Sequence, residues 1–402
     1  MSFLNTFKKY VSTNSRSEFN DFYASRFNSE ASIHIDLKIN KHDAFIFVHP
    51  EISKKISLIY SLDKEVFKAF DSLPIVAQNQ YLKKSLIDEV TKSNEIEGVI
   101  STRKEISDII GDLSKNVKKH VRFLGIVNKY RMLIEDKEIS IKSCNDIRAI
   151  YDDMLLDEIK EDDPNNIPDG VIFRKDIVHV LKSNDIEIHR GITPESEIIK
   201  YMDISLMFLN DTSIEPLIRI AAFHYLFGYI HPFYDGNGRI NRFISSYLIS
   251  KILTDISGYR LSMTVKDNLK SYYDAFKYTN DPRNMGDITT FIDAFLDIII
   301  KSEEQTIKYA EEKKSEFNYF MHQIENLKFS QKQSKEVLSL LLQAELFSEF
   351  GLSMKDIAKI SGFSKVTCLK CIEELIANNY VIETKVGRTK YYCSSMRSNE
   401  KH

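Results

Sequence analysis

The most constraining feature of the sequence is the string HPFYDGNGRINR, which runs from His231 to Arg242. Gly236 and Gly238 allow the backbone to turn tightly and to bring its N–H groups close to an anion. The residues that follow have the apolar spacing of a helix, and the N-terminal end of a helix favours negative charge. An apolar run with helical spacing, EPLIRIAAFHYLFGYI from Glu215, precedes the loop. The string therefore predicts a helix, an anion-binding loop and a second helix.

The polar side chains of this string suit a nucleoside polyphosphate. Arg239 and Arg242 lie three residues apart, so both guanidinium groups can project from one side of the helix and bind phosphate oxygens in bidentate fashion. Asp235 offers oxygen to Mg²⁺, which proteins commonly hold through one or two carboxylates together with substrate phosphates. His231 is the natural general base. Each residue alone has a structural explanation, such as a turn histidine or a solvated arginine pair, and only the combination indicates a nucleotide site.

The string resembles the signature of the Fic family, HPFxxGNGRxxR, and fills every fixed position of it. The best-known members of that family transfer AMP from ATP onto a hydroxyl side chain of a protein. The resemblance implies that His231 deprotonates the target hydroxyl and that Asp235 carries Mg²⁺ on the α and β phosphates. It also implies that Arg239 and Arg242 hold the β and γ phosphates. The implied ATP-binding residues of the string, with the anion hole at its centre, are Asp235, Gly236, Asn237, Gly238, Arg239 and Arg242.

A hairpin is predicted upstream of this loop. The segment GVIFRKDIVHVLKSNDIEIHRGITP, residues 170–194, has alternating β-branched stretches on either side of the turn-prone residues 182–185. It is similar to the FRxxxVxV pattern of the family's flap, which implies that main-chain pairing in the flap clamps the target segment. Leu181 stands where a glycine is frequent. The flap and target-binding residues implied are Val178, Val180 and Leu181, with Phe173 and Arg174 at the start of the pattern.

A second, weaker motif lies far upstream. Residues Ser93 to Gly98 read SNEIEG and match [S/T]xxxE[G/N], the pattern of the inhibitory helix in many Fic proteins. The structural alternative is a helix C-terminus closed by Gly98. The resemblance implies that Glu97 pairs with Arg242 and so occupies the guanidinium that should hold the γ phosphate. In some relatives the same glutamate orients water for the removal of AMP, and the sequence leaves that role open.

The segment from Tyr272 resembles the family's YYxxL and NxGD region. Tyr272 and Tyr273 offer flat faces for a purine or a ribose, and the amide of Asn284 could read the edge of the base. Helix packing is an equally good explanation of the tyrosines. The stretch of residues 279–283 is longer than the usual spacing, which weakens the assignment of Asn284.

Bulk composition indicates a soluble intracellular enzyme. A chain of 402 residues should form two or three domains, and its net charge of −3 gives no global attraction to nucleic acid or to a membrane. The four cysteines make no extracellular disulfide framework, and no early apolar run is typical of a signal peptide, so we expect a cytoplasmic location. Cys368 and Cys371 form a CxxC, which we interpret as core packing because no second ligand pair is present. His224 is interpreted in the same way.

The expected fold class is all-α, a mainly helical Fic fold with a small β-hairpin flap, plus a C-terminal winged helix-turn-helix domain. Residues 1–80 are mixed, with one or two strands or an extended arm near residues 33–50. The predicted catalytic domain spans residues 81–300 and contains an inhibitory helix near residues 85–98. Residues 301–330 are predicted as a connecting helix, and residues 331–396 as the winged domain.

The predicted winged domain has three helical segments followed by an alternating hairpin, without a diagnostic residue string. In such folds the start of the third helix and the wing contact DNA phosphates, which singles out Lys365, Lys370 and Arg388. Glu373 and Glu374 dilute this charge, and many winged helices serve as protein-contact or dimer modules. DNA binding and protein contact therefore both stay open.

Together these observations predict an autoinhibited protein adenylyltransferase that uses ATP and Mg²⁺. Its expected partners are ATP and a protein with a Ser, Thr or Tyr hydroxyl, the chain itself included, with DNA, a protein or a second copy as further partners and no membrane. One alternative is a Fic-like transferase of another nucleotide or phosphate group. The other is a DNA-binding regulator that only senses nucleotide.

Overall fold

The chain is described by a computed structural model covering residues 5–112, 122–181, 187–348, 351–386 and 389–399. It is mainly helical, as the sequence predicts. The helices are α1 (Thr6–Ser12), α2 (Arg16–Phe27), α3 (Pro50–Asp71), α4 (Ile75–Ile96), α5 (Arg103–Asp112), α6 (Leu124–Ile134), α7 (Cys144–Tyr151), α8 (Asp157–Asp162), α9 (Glu195–Asn210), α10 (Pro216–Ile230), α11 (Asn237–Ser250), α12 (Asp255–Gly258), α13 (Leu261–Asp267), α14 (Leu269–Asn280), α15 (Thr289–Asn326), α16 (Ser334–Phe347), α17 (Met354–Ser361), α18 (Lys365–Ala377) and α19 (Met396–Asn399).

The strands form three small antiparallel sheets within the described residues. They are β1 (Ser32–Ile39), β2 (His42–Phe47), β3 (His179–Leu181), β4 (Glu187–Arg190), β5 (Leu352–Ser353), β6 (Val381–Val386) and β7 (Thr389–Ser394). A π-helical turn, Asp152–Leu156, joins α7 to α8, and short 3₁₀ turns lie at Pro164–Asn166 and Pro282–Asn284. No helix among these elements combines the length and the apolar character needed to cross a membrane.

The chain divides into two compact units, one formed by Met1–Asp63 with Ile87–Glu303 and the other by Lys64–Leu86 with Glu304–His402. The domain boundaries drawn from the sequence stay a prediction.

Two buried helices form the centre of the first unit. Helix α10 begins at a capping Glu215, whose side chain accepts a hydrogen bond from the backbone of Ile218 at 2.9 Å, and it has Pro216 at its first position. It is apolar on nearly all sides, as expected for a helix surrounded by protein. Helix α11 packs beside it, and Asn241 donates to the carbonyl oxygen of His224 at 2.7 Å. The helix–loop–helix prediction is confirmed.

The N-terminal strands predicted near residues 33–50 form a hairpin. Strands β1 and β2 pair from Ser32 with Phe47 to Ile39 with His42. The backbone of Phe45 also bonds to the turn after α14, donating to Gly286 at 3.1 Å and accepting from Ile288 at 2.9 Å. This hairpin therefore braces the chain between α14 and α15.

The predicted flap is also a hairpin. Strands β3 and β4 pair His179 with Arg190 and Val180 with His189, and a bulge follows at Leu181. The turn-prone residues 182–185 lie outside the described part of the chain.

The C-terminal part of the second unit contains helices α16, α17 and α18, followed by strands β6 and β7, in the order that the sequence predicts. Strand β5 adds to the edge of β7, so the sheet order is β5-β7-β6. Ser353 and Asp356 form a reciprocal capping box at the start of α17, and Gly362 ends that helix with a φ of 72°. Glu374 on α18 accepts from Gln331 at 3.1 Å and from the hydroxyl of Ser334 at 2.6 Å, which ties α18 to the start of α16.

Candidate active site

The loop between α10 and α11 places the residues of the signature. Helix α10 ends at Ile230, and His231 follows as its C-cap in the left-handed conformation, with φ 54° and ψ 63°. The side chain of Asn237 spans the loop, accepting from the backbone of Phe233 at 3.0 Å and donating to its carbonyl at 2.8 Å. Gly236, with a φ of 81°, precedes the first turn of α11. In this structure Asn237 thus fixes the shape of the loop through its side chain.

The ring of Phe233 anchors the loop to the interior. It stacks on Tyr151 with ring centroids 3.9 Å apart and meets the edge of Phe173. Tyr151 ends α7, directly before the π-helical turn, and π-helical turns often mark functional sites. The helical segment before the flap therefore supports one side of the loop.

His231 is half-buried, and its partial removal from water controls its protonation. Burial lowers the pKa of His231 to about 3, and electrostatic interactions with His189 and Arg174 act in the same direction. The imidazole is consequently neutral at physiological pH. A neutral imidazole can accept a proton, which a general base must do.

Asp235 lies at the open side of the loop. Its side chain is 47% exposed, and one carboxylate oxygen accepts from the backbone of Gly236 at 2.5 Å. Among the described residues no cluster of three or more metal-binding side chains is present. A single accessible carboxylate fits Mg²⁺ that arrives with nucleotide phosphates, because this ion keeps most of its ligands from water and phosphate.

Arg239 has a partner that sequence reasoning missed. Its guanidinium is 1% exposed and bonds to Glu158 of α8 at 2.5 Å, while Asp235 lies 3.8 Å away. Glu158 is itself 6% exposed, and its second carboxylate oxygen is buried without a hydrogen-bond partner. Nothing in the local sequence around Glu158 marks it as buried, since it follows other acidic residues and precedes a charged run.

Arg242 is enclosed by the helix that carries the upstream motif. Its guanidinium lies 2.8 Å from a carboxylate oxygen of Glu97 and donates to the hydroxyl and carbonyl of Ser93 at 3.1 and 2.9 Å. Burial lowers the pKa of Arg242, but Glu97 together with Tyr272 and Tyr273 opposes that effect, and the net shift is upward. Arg242 is 1% exposed and Glu97 is 26% exposed. The arginine that the resemblance assigns to the γ phosphate is therefore already paired.

Gly238 makes room for this pair. A side chain at Gly238 would collide with the carboxylate of Glu97 and with the guanidinium of Arg242. Helix α4 ends at Ile96, and Gly98 follows with a φ of 74°. The end of α4 therefore delivers Glu97 against the first turn of α11.

Helix α4 is anchored one turn before Ser93 by a second carboxylate. Glu89 is fully buried and accepts from the backbone and hydroxyl of Ser262 at 2.8 and 2.6 Å and from the hydroxyl of Ser246 at 3.1 Å. Burial raises the pKa of Glu89, and these hydrogen bonds oppose that shift. Because residues four apart share one helix face, Glu89, Ser93 and Glu97 all face the catalytic helices.

The downstream aromatic residues separate into two environments. Tyr272 is buried, and its hydroxyl is hydrogen-bonded to His224 at 2.7 Å within a cluster of aromatic rings. His224 also bonds to Ser245 at 2.7 Å, which confirms its interpretation as a core histidine. Tyr273 is 46% exposed, so it is the member of the pair with ring surface available to a ligand.

Asn284 is fully buried, and its amide nitrogen donates to the carbonyl oxygens of Asp287 at 2.6 Å and Thr279 at 3.4 Å. Both amide hydrogens serve the turn that leads into α15. The proposed reading of a base edge by this amide therefore finds no support in its contacts.

The remaining predicted residues are placed as follows. Val178 accepts from the backbone of Gly191 at 3.0 Å beside the flap. Lys365 and Lys370 are exposed on α18, whereas Cys368 and Cys371 are buried, which confirms their interpretation as core residues. Arg388 lies outside the described residues.

Comparison with known proteins agrees with the signature. Residues 142–249 match the model of the Fic/DOC family. The chain is 24% identical to the protein adenylyltransferase fic-1 of Caenorhabditis elegans over 185 residues, 44% of this chain and 32% of that protein. It is 26% identical to the protein adenylyltransferase Fic of Drosophila virilis over 220 residues, 52% of this chain and 40% of that protein. The chain thus aligns with less than half the length of these curated relatives.

A solved structure has the same fold. The crystal structure of a Fic family protein from Desulfovibrio desulfuricans G20 superimposes with a TM-score of 0.50 at 18% identity, covering 87% of this chain and 97% of that one. The family match includes the whole loop from His231 to Arg242. The signature loop thus lies within the part of the chain, residues 142–249, that matches the Fic/DOC family.

Proposed function

We propose that the chain is a protein adenylyltransferase that transfers AMP from ATP to a Ser, Thr or Tyr hydroxyl of a protein, with the chain itself as one candidate acceptor. The observation that carries the proposal is the complete loop, in which a neutral, half-buried His231 and an accessible Asp235 flank the N-terminal end of α11. The names of the relatives, protein adenylyltransferases, support it.

In this mechanism His231 removes the proton from the target hydroxyl. The hydroxyl oxygen forms a bond to the α phosphorus of ATP, and the bond from that phosphorus to the oxygen bridging the β phosphate breaks, so pyrophosphate leaves with the bonding electrons. The proton stays on the imidazole until it passes to solvent or product. Mg²⁺ held by Asp235 would neutralise phosphate charge. Backbone N–H groups at the start of α11 bind phosphate oxygens.

The ion pair between Glu97 and Arg242 supports a further part of the proposal, autoinhibition. A guanidinium that already binds a carboxylate is not free to bind the γ phosphate, so ATP would lie with its α phosphate out of line. Glu97 is only 26% exposed, which protects the pair from solvent screening. Participation of Glu97 in the removal of AMP is the alternative role, and it requires that Glu97 orient a water molecule instead.

The experiment that tests the transfer uses ATP labelled at either the α or the γ phosphate, with Glu97→Gly protein and a lysate as acceptor. AMP transfer labels protein only from the α position, whereas phosphoryl transfer labels it only from the γ position. His231→Ala should lose about 10² to 10⁴ fold in rate while still binding ATP. Transfer at the parent rate by His231→Ala would show that the mechanism is wrong.

We further propose that the C-terminal helices and strands form a winged helix-turn-helix module that binds a macromolecule. Helix α18 exposes Lys365 and Lys370 beside Val366 and Leu369, which are 66% and 46% exposed. Positive charge supports DNA phosphate contact, while the apolar pair supports contact with a protein. The test compares DNA binding by the parent and by the double variant Lys365→Ala, Lys370→Ala in a gel-shift assay. DNA binding is established if the double variant binds more weakly and with a smaller dependence on salt, because fewer counterions are released. An unchanged or absent shift would leave protein contact.

A DNA-binding regulator that senses nucleotide and has no transfer activity is the second candidate function, and the same labelling experiment decides against it if label is transferred. A homodimer and a cytoplasmic location stay predictions.

A further inference from the structure

One buried arginine holds the catalytic loop without belonging to the signature. Arg174 is 0% exposed and precedes the flap. Its guanidinium donates to four main-chain carbonyl oxygens: His231 at 2.9 Å, Ile230 at 3.4 Å, Ile192 at 2.8 Å and Asp176 at 2.6 Å. Its own backbone N–H donates to Pro232 at 3.2 Å.

Two of these carbonyls belong to the end of α10. The last carbonyls of a helix have no partner within the helix and carry the negative end of its dipole. A cation placed among them satisfies their hydrogen bonds and opposes that charge. The guanidinium of Arg174 therefore caps the C-terminal end of α10, directly before the loop.

His231 needs such support. Its φ of 54° and ψ of 63° lie in the left-handed region, which residues other than glycine seldom occupy and which persists only when the surroundings determine it. The backbone conformation of His231 sets where its imidazole points. A donor fixed on the carbonyl oxygen of His231 therefore constrains the direction of the base.

The position of Arg174 is itself constrained from both sides. Gly191 lies against it, and a side chain on Gly191 would overlap the guanidinium and come within 3.2 Å of the Cβ of His231. On the other side, the carboxylate of Glu195 accepts hydrogen bonds from the backbone of three successive residues before Arg174, at 2.8 to 3.0 Å. These contacts hold the segment 171–174 in one conformation.

We propose that Arg174 is a positioning residue for His231, acting through the backbone of the loop. The expected effect on kcat rests on the proposed function, whereas the expected effect on the position of His231 is independent of that function. The planar guanidinium presents several donors in a fixed fork, and a lysine ammonium cannot reach the same set of carbonyls. Arg174→Lys should therefore release the carbonyl of His231 while keeping a positive charge.

The kinetic test uses the Glu97→Gly background and measures kcat and the affinity for ATP separately. Arg174→Lys should lower kcat by about 10²-fold, as expected when a catalytic group is displaced by about 1 Å, with ATP affinity unchanged. The matched control is Arg148→Lys. Arg148 donates to Ile172 at 2.8 Å in the same segment but makes no hydrogen bond to the loop, so its kcat should stay close to the parent value.

A second variant reaches the same contact without changing the arginine. Gly191→Ala should displace the guanidinium and lower kcat in the same way. Both changes displace His231, Arg174→Lys through the guanidinium and Gly191→Ala through the guanidinium and the 3.2 Å approach to the His231 Cβ. Arg174→Lys combined with Gly191→Ala should therefore be no slower than the slower single variant. Additive losses would contradict a shared route through His231.

The structural test requires no activity. In isotope-labelled protein the resonance of His231, assigned by its disappearance in His231→Gln, should shift and titrate differently in Arg174→Lys. The resonance of His224, which is held by Ser245 and Tyr272, serves as the internal control and should stay in place. An unchanged His231 resonance in folded Arg174→Lys protein would overturn the inference. If the Glu97→Gly protein with an unchanged Arg174 transfers no AMP, that result counts against the proposed function alone. The His231 resonance would still decide the role of Arg174.

Discussion

Replacement of Glu97 by glycine should increase AMP transfer, and the structure gives the size of the effect. The carboxylate of Glu97 lies 2.8 Å from the guanidinium of Arg242, which is 1% exposed. A hydrogen bond to a charged group contributes about 1.5–3 kcal/mol. At about 1.4 kcal/mol per factor of ten, loss of this competitor should raise the productive fraction of bound ATP roughly tenfold to hundredfold.

The orientation of Arg242 should survive this change. Ser93 accepts from two of its nitrogens, at 3.1 and 2.9 Å, and these contacts do not involve Glu97. The freed guanidinium therefore stays beside the anion loop. Arg242→Ala, in contrast, removes the phosphate ligand together with the pair and should lose activity.

The assay is the initial rate of label transfer from α-labelled ATP at saturating ATP and Mg²⁺. Glu97→Asp shortens the side chain by one methylene and should release the pair partly, giving a rate between those of the parent and Glu97→Gly. The expected order is Glu97→Gly above Glu97→Asp, with the parent below both and Arg242→Ala no faster than the parent. A folded Glu97→Gly protein that is no more active than the parent refutes autoinhibition by this pair.

Three further predictions concern buried carboxylates. Glu158→Ala leaves the charge of Arg239 buried without its partner, so the free energy of unfolding measured in urea should fall by about 3–5 kcal/mol. Burial raises the pKa of Glu303 to about 7 from its usual value near 4.5, so its contribution to stability is fully present below pH 4.5 and is lost as the pH rises through 7. The free energy of unfolding should therefore fall by at most about 3 kcal/mol as the pH rises through 7. In Glu303→Gln this pH-dependent fall should be absent when unfolding in urea is measured across the same pH range. Glu89→Ala leaves several buried donors unpaired and should lower the thermal midpoint, and by loosening α4 it should raise basal transfer in the same label assay.

The catalytic loop was predictable because its chemistry is local in sequence. The residues from His231 to Arg242 sit on one helix end and one turn, so spacing alone places them together. The pairing of Glu97 with Arg242 could be anticipated only through resemblance to a family pattern. A separation of well over a hundred residues carries no local signal of contact.

The supporting residues could not be found this way. Arg174 and Glu158 act on the loop from other segments, and a charged residue in a sequence is by default expected at the surface. The nucleotide-binding role of Asn284 stays a prediction, because an amide can satisfy a backbone turn as readily as a base edge, and here the buried amide nitrogen donates to the turn. Tyr272 shows the same limit, since its hydroxyl is occupied by His224 in the interior.

The most direct test of the account is mass spectrometry of intact protein and of lysate proteins after incubation of the Glu97→Gly protein with ATP and Mg²⁺. The account predicts the added mass of AMP on a Ser, Thr or Tyr side chain, less of it with the parent protein, and a near absence of it when His231→Ala is combined with Glu97→Gly. Added phosphate in place of AMP, or AMP addition that persists without His231, would contradict it.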